Sequence, residues 1–430
     1  MRGSIIILGM LLIGACSKFS GDTGDRVRVS VWAHSGQAAE RRVLQAQIDR
    51  FNRSQKTIQA ILTLLPEGTY NGQVQASALA DDLPCLLEFD GPYVYNYVWQ
   101  GKLIPLDGYI SKSLRSELLP SILAQGSYHR KLYTVATFDS GLGLYARRSM
   151  LEKIGARIPT GPDTAWSADE FDAILRRLHN IDADGQVLDL KLNNTGEWFT
   201  YGFSPVIQSA GGDLINRTDY SSADGMLNGA AAVAAMHRIQ NWMIKGYVDP
   251  DLDDAAFVQG RVAISWVGHW EYPRYHKKFG EDLLVLPLPD FGHGTRTGQG
   301  SWNWGITTSC KQPHAAWRFL EFILQPDEIL AMTEANGAVP ATRTAISRSQ
   351  LYRAGGPLHL YAEQLLAGYS VPRPQTPAYP IISSAFVQAF RDIQDGGDVQ
   401  AALNRAVAAI DQDIHDNKGY PPGGEVHSGE

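Results

Sequence analysis

Three kinds of side chain in this 430-residue chain could carry chemistry: a hydroxyl beside an acid, carboxylates at loop spacing, and cysteines. Asp139-Ser140-Gly141 sets a serine after a carboxylate, but a serine nucleophile needs a base and the sequence nominates none. Strand-like alternation on both sides makes the segment a chain crossing instead. Asp182-Ala183-Asp184-Gly185 has the start of a calcium loop without its further acidic positions, and Asn193 stands where the closing Glu is required, so a turn is the better reading. Asp249, Asp251, Asp253 and Asp254 read as a solvated loop. Cys85 and Cys310 are either a disulfide or two small buried hydrophobes, since pairing requires Cα atoms within about 7 Å and sequence does not supply that. Neither has close-spaced partners for zinc. H-E-x-x-H, P-loop and G-x-S-x-G patterns are absent from the sequence. No metal, cofactor or catalytic residue is expected.

Cys16 is the cysteine whose context dictates a reaction. Arg2 gives a positive start, Ile5 to Ile13 form an apolar run broken only by Gly9, and small Gly14 and Ala15 lead into the thiol. This resembles a lipoprotein signal (residues 1–16) ending in a lipobox, which implies cleavage before Cys16, acylation of its thiol and a periplasmic or extracytoplasmic protein. An ordinary cleaved signal or a frayed helix is the competing reading. The run is shorter than the roughly 20 residues that span a bilayer, so the membrane partner would be reached through a lipid anchor.

The elements that must position any site alternate between strand and helix. Val27 to Trp32 alternates as a strand, Ala39 to Asn52 has helical periodicity, and Thr57 to Leu65 is a second strand. A helix at Gln73 to Ala80, a buried run at Leu86 to Phe89 and a helix at Tyr93 to Gln100 follow. This order predicts βαβ units and a parallel sheet covered on both faces. Further strands are expected at Lys131 to Ala136, Leu142 to Ala146, Arg261 to Val267, Leu283 to Pro287 and Trp304 to Thr308. Helices are expected at Ala168 to His179 with Ser167 as N-cap, Asn228 to Ile244, Gln312 to Leu324, Ile381 to Gln394 and Val399 to Asp416.

Composition narrows the function. An apolar content of 44% with 19% charged residues describes a globular protein, long enough for two lobes. A net charge of -7 disfavours nucleic acid or an anionic surface as partner. Ten Trp and eighteen Tyr exceed what a core of this size needs; packing explains most of them, and the surplus suits a carbohydrate or aromatic-ligand surface.

One family resemblance then covers most of the chain. It rests on Leu83-Pro84 with Asp90, Gly101 to Asp107 (GKLIPLD), Leu142 to Gly155 (LGLYARRSMLEKIG), Thr164-Ala165-Trp166 with Glu170-Phe171, and Gly211-Gly212. It continues through Phe257 with Gly260 to Ile264, Gly268-His269-Trp270, Ser301-Trp302, and Pro313 to Leu320 (PHAAWRFL). In order and spacing these resemble the extracellular solute-binding proteins of ABC sugar importers, the maltose-binding-protein-like branch. Asp139 to Leu142 and Val371 to Pro374, with Tyr379-Pro380, are similar to the trehalose/maltose-binding subgroup. The resemblance implies an α/β, two-lobe periplasmic-binding-protein fold with the ligand cleft between lobes. It also implies sugar contacts from Gln37, Glu67, Asp90, Asp139, Trp270, Trp302 and Arg373. Thr137 stands where the subgroup carries a ligand tyrosine, and Glu40 falls slightly after its acidic position in the loop beyond Trp32. Flat tryptophans suit the C–H face of a sugar, and Asp90, Asp139 and Arg373 suit its hydroxyl rim through charge-assisted hydrogen bonds. Core packing for the tryptophans, a helix N-cap for Asp90 and a surface role for Arg373 are the competing assignments.

The expected organisation is a tether at 17–25, an N-terminal lobe of 26–137 plus 306–341, a C-terminal lobe of 138–305 plus 342–418, and a disordered tail at 419–430. Hinges are expected near Phe138-Asp139, Gly305-Ile306 and Val339 to Thr342. The expected protein is a monomer that captures a glucose-containing disaccharide such as trehalose or maltose by closure and delivers it to an ABC permease. The alternatives are a secreted glycoside hydrolase using Asp90 and Asp139, or a sugar-sensing receptor subunit of the same fold.

Overall fold

The computed structural model describes residues 26–421; Cys16, the expected tether and most of the expected tail lie outside them. In chain order the sheet strands are β1 (Val27–Ser35), β2 (Ile58–Pro66), β3 (Leu86–Asp90), β4 (Thr134–Val135), β5 (Leu142–Arg147), β6 (Leu188–Asp189), β7 (Ile264–Gly268), β8 (Leu283–Leu286) and β9 (Trp302–Ile306). They form two sheets, a five-stranded one ordered β2-β1-β3-β9-β4 and a four-stranded one ordered β8-β5-β7-β6. Each sheet is the centre of one lobe. The helices that matter below are α1 (Ala38–Ser54), α2 (Glu197–Ser209), α3 (Ala230–Ile244), α4 (Pro326–Asn336), α5 (Tyr379–Gln394) and α6 (Val399–Asp416).

In the first lobe β1 buries Val29, Val31 and Ala33, with Ser30 exposed and Trp32 half-buried between them, the period-two pattern of a strand. It pairs in parallel with β2 and β3, as βαβ connections demand. The sheet is not parallel throughout: β9 returns antiparallel to β3, because the chain re-enters this lobe after building the other. Helix α1 turns Leu44, Gln47, Ile48 and Phe51 inward, and Gln47 and Arg50 tie it to Glu328 of α4. Cys85 and Cys310 are joined in a disulfide that clips the entry of β3 to the exit of β9.

In the second lobe β5 pairs antiparallel with β7 and β8. Against them packs α2, whose residues from Trp198 to Ser209 are all buried, held between α3 and α5. A helix buried on every face shows no one-sided apolar stripe, and Pro205 inside it further hides it from periodicity. The second lobe also corrects the reading of the acidic loop: Asp249 is buried against Arg261, and Asp254 holds Lys191 and Arg274.

The chain crosses between lobes through adjacent strands. Phe138–Asp139 pairs antiparallel with Val339–Pro340, and Thr297–Gln299 pairs with Ser370–Pro372. The crossing expected at Gly305-Ile306 falls earlier, before Trp302, because β9 pairs with β3 along its whole length from Trp302 opposite Asp90. The first residues of the expected tail are anchored: Tyr420 packs edge-on against Trp99 at 4.9 Å, and Trp99 Nε1 donates to the Pro421 carbonyl at 3.2 Å. Among the described residues no helix is long and apolar enough to cross a membrane.

Candidate functional site

Of the expected ligand residues, Asp90 meets Arg373 and Gln37 meets Trp270 where the edges of the two lobes come together. Asp90 ends β3, and Arg373 follows the short strand Ser370–Pro372 on the other lobe. Their side chains form a two-pronged ion pair, with Arg373 donating to the Asp90 oxygens at 3.1 and 2.8 Å. Asp90 therefore does not cap the turn that follows it. Arg373 is 5% exposed rather than a surface residue. It also donates to Glu197 at 2.6 Å, lies 4.9 Å over the Tyr201 ring, and leaves its Nε without a partner. Glu197 opens α2 and accepts from the hydroxyls of Tyr379 and Ser383. Burial pushes its carboxyl up, Arg373 pulls it down, and the net direction is up.

The two tryptophans are half-buried, each with one face against the protein. Trp302 stacks on His34 with ring centroids 3.7 Å apart and Tyr70 stands edge-on to it at 5.2 Å. Trp270 lies across the backbone of Gly268, where an added Cβ would come within 2.0 Å of the indole. Trp198 meets Trp270 edge-on at 6.1 Å. Gln37 crosses from the start of α1 to donate to the Trp270 carbonyl at 3.0 Å. Glu67 is exposed on the turn after β2, in a field of acids that includes Asp90, Glu40 and Glu88. Desolvation and these acids raise its carboxyl, with His34 opposing.

Asp139 is brought to the hinge rather than to open cleft. Its Oδ1 accepts the N–H groups of Ser140 at 2.8 Å and Gly300 at 3.1 Å, linking two crossings, and burial raises its carboxyl. Gly300 sits at φ +101 with Gln125 filling the place of a side chain, so only glycine fits. Ser140 does meet a histidine. His269 Nδ1 is 3.1 Å from the Asn336 carbonyl, which can only accept, so Nδ1 carries the proton and Nε2 accepts from Ser140 Oγ at 3.2 Å. Tyr201 then donates to Ser140 at 2.7 Å. Burial lowers His269 to about 4, so it is neutral, and the chain from Tyr201 to Asn336 braces the hinge.

Sequence reasoning missed His34, Glu88, Glu197, Tyr201 and His269. The signal for Glu88 was present: an acid inside a strand buried at every position is two residues from Asp90 and shares its face. Glu197 carried no comparable mark. The calcium-loop candidate is a turn, with Asp182 Oδ1 accepting from the N–H groups of Asp184 and Gly185 at 3.2 Å. Among the described residues no group of three His, Cys, Asp or Glu could hold a metal ion.

The profile of a family described as bacterial extracellular solute-binding protein matches residues 46–354. A binding protein of Brucella abortus (strain 2308) is 23% identical over 263 residues, 58% of this chain; the match spans 61% of that relative's length. The cyclic α-maltosyl-1,6-maltose binding protein of Arthrobacter globiformis shares the fold at a TM-score of 0.73 and 22% identity, over 91% of this chain and 100% of that one. An ABC substrate-binding protein of Listeria monocytogenes, solved with cycloalternan, shares it at 0.77 and 18%, over 91% and 100%.

Proposed function

The chain belongs to the bacterial extracellular solute-binding proteins, and from that premise we propose that it captures a sugar between its lobes and hands it to an ABC permease. One observation carries the reading: Asp90, opposite Trp302 in the first sheet, is bound by Arg373 together with Glu197, and Arg373 lies over Tyr201, which adjoins Trp270. Two flat apolar platforms near a charged, hydrogen-bonding centre supply the chemistry a pyranoside needs. The ligands named for the two structural neighbours, cyclic α-maltosyl-1,6-maltose and cycloalternan, support a saccharide. A glucose-containing disaccharide such as trehalose or maltose fits two platforms of one face each. The protein acts as a monomer, held at the membrane by acylated Cys16 outside the cytoplasm.

The hydrolase alternative requires two carboxylates free to act on a glycosidic bond. Asp90 is held by Arg373 and Asp139 by two backbone N–H groups, which supports binding without turnover.

A thermal-shift screen of mono- and disaccharides tests the reading, since a ligand bound only by the native state raises the melting temperature. The expected result is a rise with at least one disaccharide, no release of glucose, and about a tenfold or greater loss of affinity in Trp270→Ala. A panel in which no sugar shifts the transition would overturn it.

A further inference from the structure

Behind Trp302 lies a charged layer that the sugar contacts do not use. The imidazole of His34 is 6% exposed and parallel to the indole, with an interplanar angle of 2°. Each ring nitrogen faces a carboxylate: Nδ1 lies 2.8 Å from Glu88 and Nε2 3.6 Å from Glu40. The three residues come from different elements, His34 from the end of β1, Glu88 from β3 and Glu40 from α1. Glu88 also accepts the His34 backbone N–H at 3.1 Å, and Glu40 accepts from Asn336 at 3.1 Å. Tyr70 closes the edge of the indole and donates its hydroxyl to the Glu88 carbonyl, so the layer is tied on every side.

We infer that His34 is a positioning residue of the sugar site: clamped between Glu88 and Glu40, it backs Trp302 and fixes the plane in which the indole meets a sugar ring. The inference rests on the proposed sugar site. Because His34 occupies one face of Trp302 and the Gly268 backbone lies against one face of Trp270, each tryptophan has a single face to offer one ring. Burial alone would lower the imidazole, but Glu88 and Glu40 carry it well above its ordinary value, so both nitrogens are protonated at neutral pH. Glu67 faces the same charge from the turn after β2, and neutral His269 adjoins Glu40 from the turn after β7.

The test uses the chain labelled with 5-fluorotryptophan, the Trp302 resonance being assigned by its loss in Trp302→Phe. Without sugar, this resonance should show a step with pH on the alkaline side of an ordinary imidazole, apart from any step at lower pH from the raised carboxyls of Glu88 and Glu67, and the alkaline step should vanish in His34→Gln. His34→Ala should displace the resonance and weaken binding of the best disaccharide in the panel by about tenfold or more. His34→Gln, whose planar amide can still donate to Glu88, should retain affinity within roughly threefold of wild type. If the Ala variant does not fold, the pH step in wild type and its loss in the Gln variant still decide. A Trp302 resonance indifferent to pH and to His34→Gln overturns the inference whether or not sugar binds. A resonance that steps as expected in a protein that binds no sugar upholds the stack and overturns the site on which its role rests.

Discussion

Arg373 shows how burial changes the meaning of a proposed ligand residue. A guanidinium at a cleft rim could be removed with little effect on folding, but here it separates two carboxylates, Asp90 and Glu197, inside the seam. Removing one partner of a buried ion pair strands the others, at a cost of about 3–5 kcal/mol. Urea denaturation of Arg373→Ala should show a loss of that order, and Arg373→Lys should recover part of it because a point charge cannot reproduce the two-pronged contact. An Ala variant as stable as wild type would mean the pair is open in solution. His269 gives a pH test with a defined sign. Its folded value of about 4 lies below the ordinary 6.5, so between these limits the unfolded chain binds a proton that the native state does not. Its contribution, roughly 3 kcal/mol, is present above pH 6.5 and lost as pH falls toward 4. His269→Gln should flatten that part of the stability profile relative to wild type, and a parallel profile would refute the neutral buried imidazole.

Elements were legible where a period existed. Helix α6 occupies the residues expected of it, and Ser167 caps its helix by accepting from the Glu170 N–H at 3.1 Å. Helix α2 was invisible because every face is buried, and it brings Glu197 and Tyr201 to the site. The proposed ligand residues came from family resemblance, whereas the His34 layer depends on β1, β3 and α1 meeting in space, which no local pattern encodes. The Cys85–Cys310 disulfide is of the same kind, joining residues 225 apart in sequence. Closing so long a loop restricts the unfolded chain, and the Cys85→Ser, Cys310→Ser pair should lower stability by roughly 2–5 kcal/mol. Sugar affinity should survive in the folded fraction, because the bridge holds β3 to β9 at the end away from Asp90 and Trp302. Equal unfolding midpoints for oxidised and reduced protein would remove the bridge from the stability of this lobe.

At the scale of the whole molecule, direct bonds join the two lobes. Gln37 reaches the Trp270 carbonyl, Asn96 donates to the Pro377 carbonyl at 2.7 Å, and Asp90 grips Arg373. On the expected closure mechanism such contacts favour the closed state in the absence of sugar, and a ligand shifts the balance only by binding that state more tightly. Asp90→Asn weakens the charged grip while leaving Arg373 paired with Glu197, so the sugar-free variant should spend less time closed. Small-angle scattering should then report a larger radius of gyration for sugar-free Asp90→Asn than for sugar-free wild type. Saturating disaccharide should reduce both toward one value, with the variant needing more sugar to reach it. Radii that do not differ between variant and wild type, with or without sugar, would show that the lobes form a rigid body and that the Asp90–Arg373 pair does not govern closure.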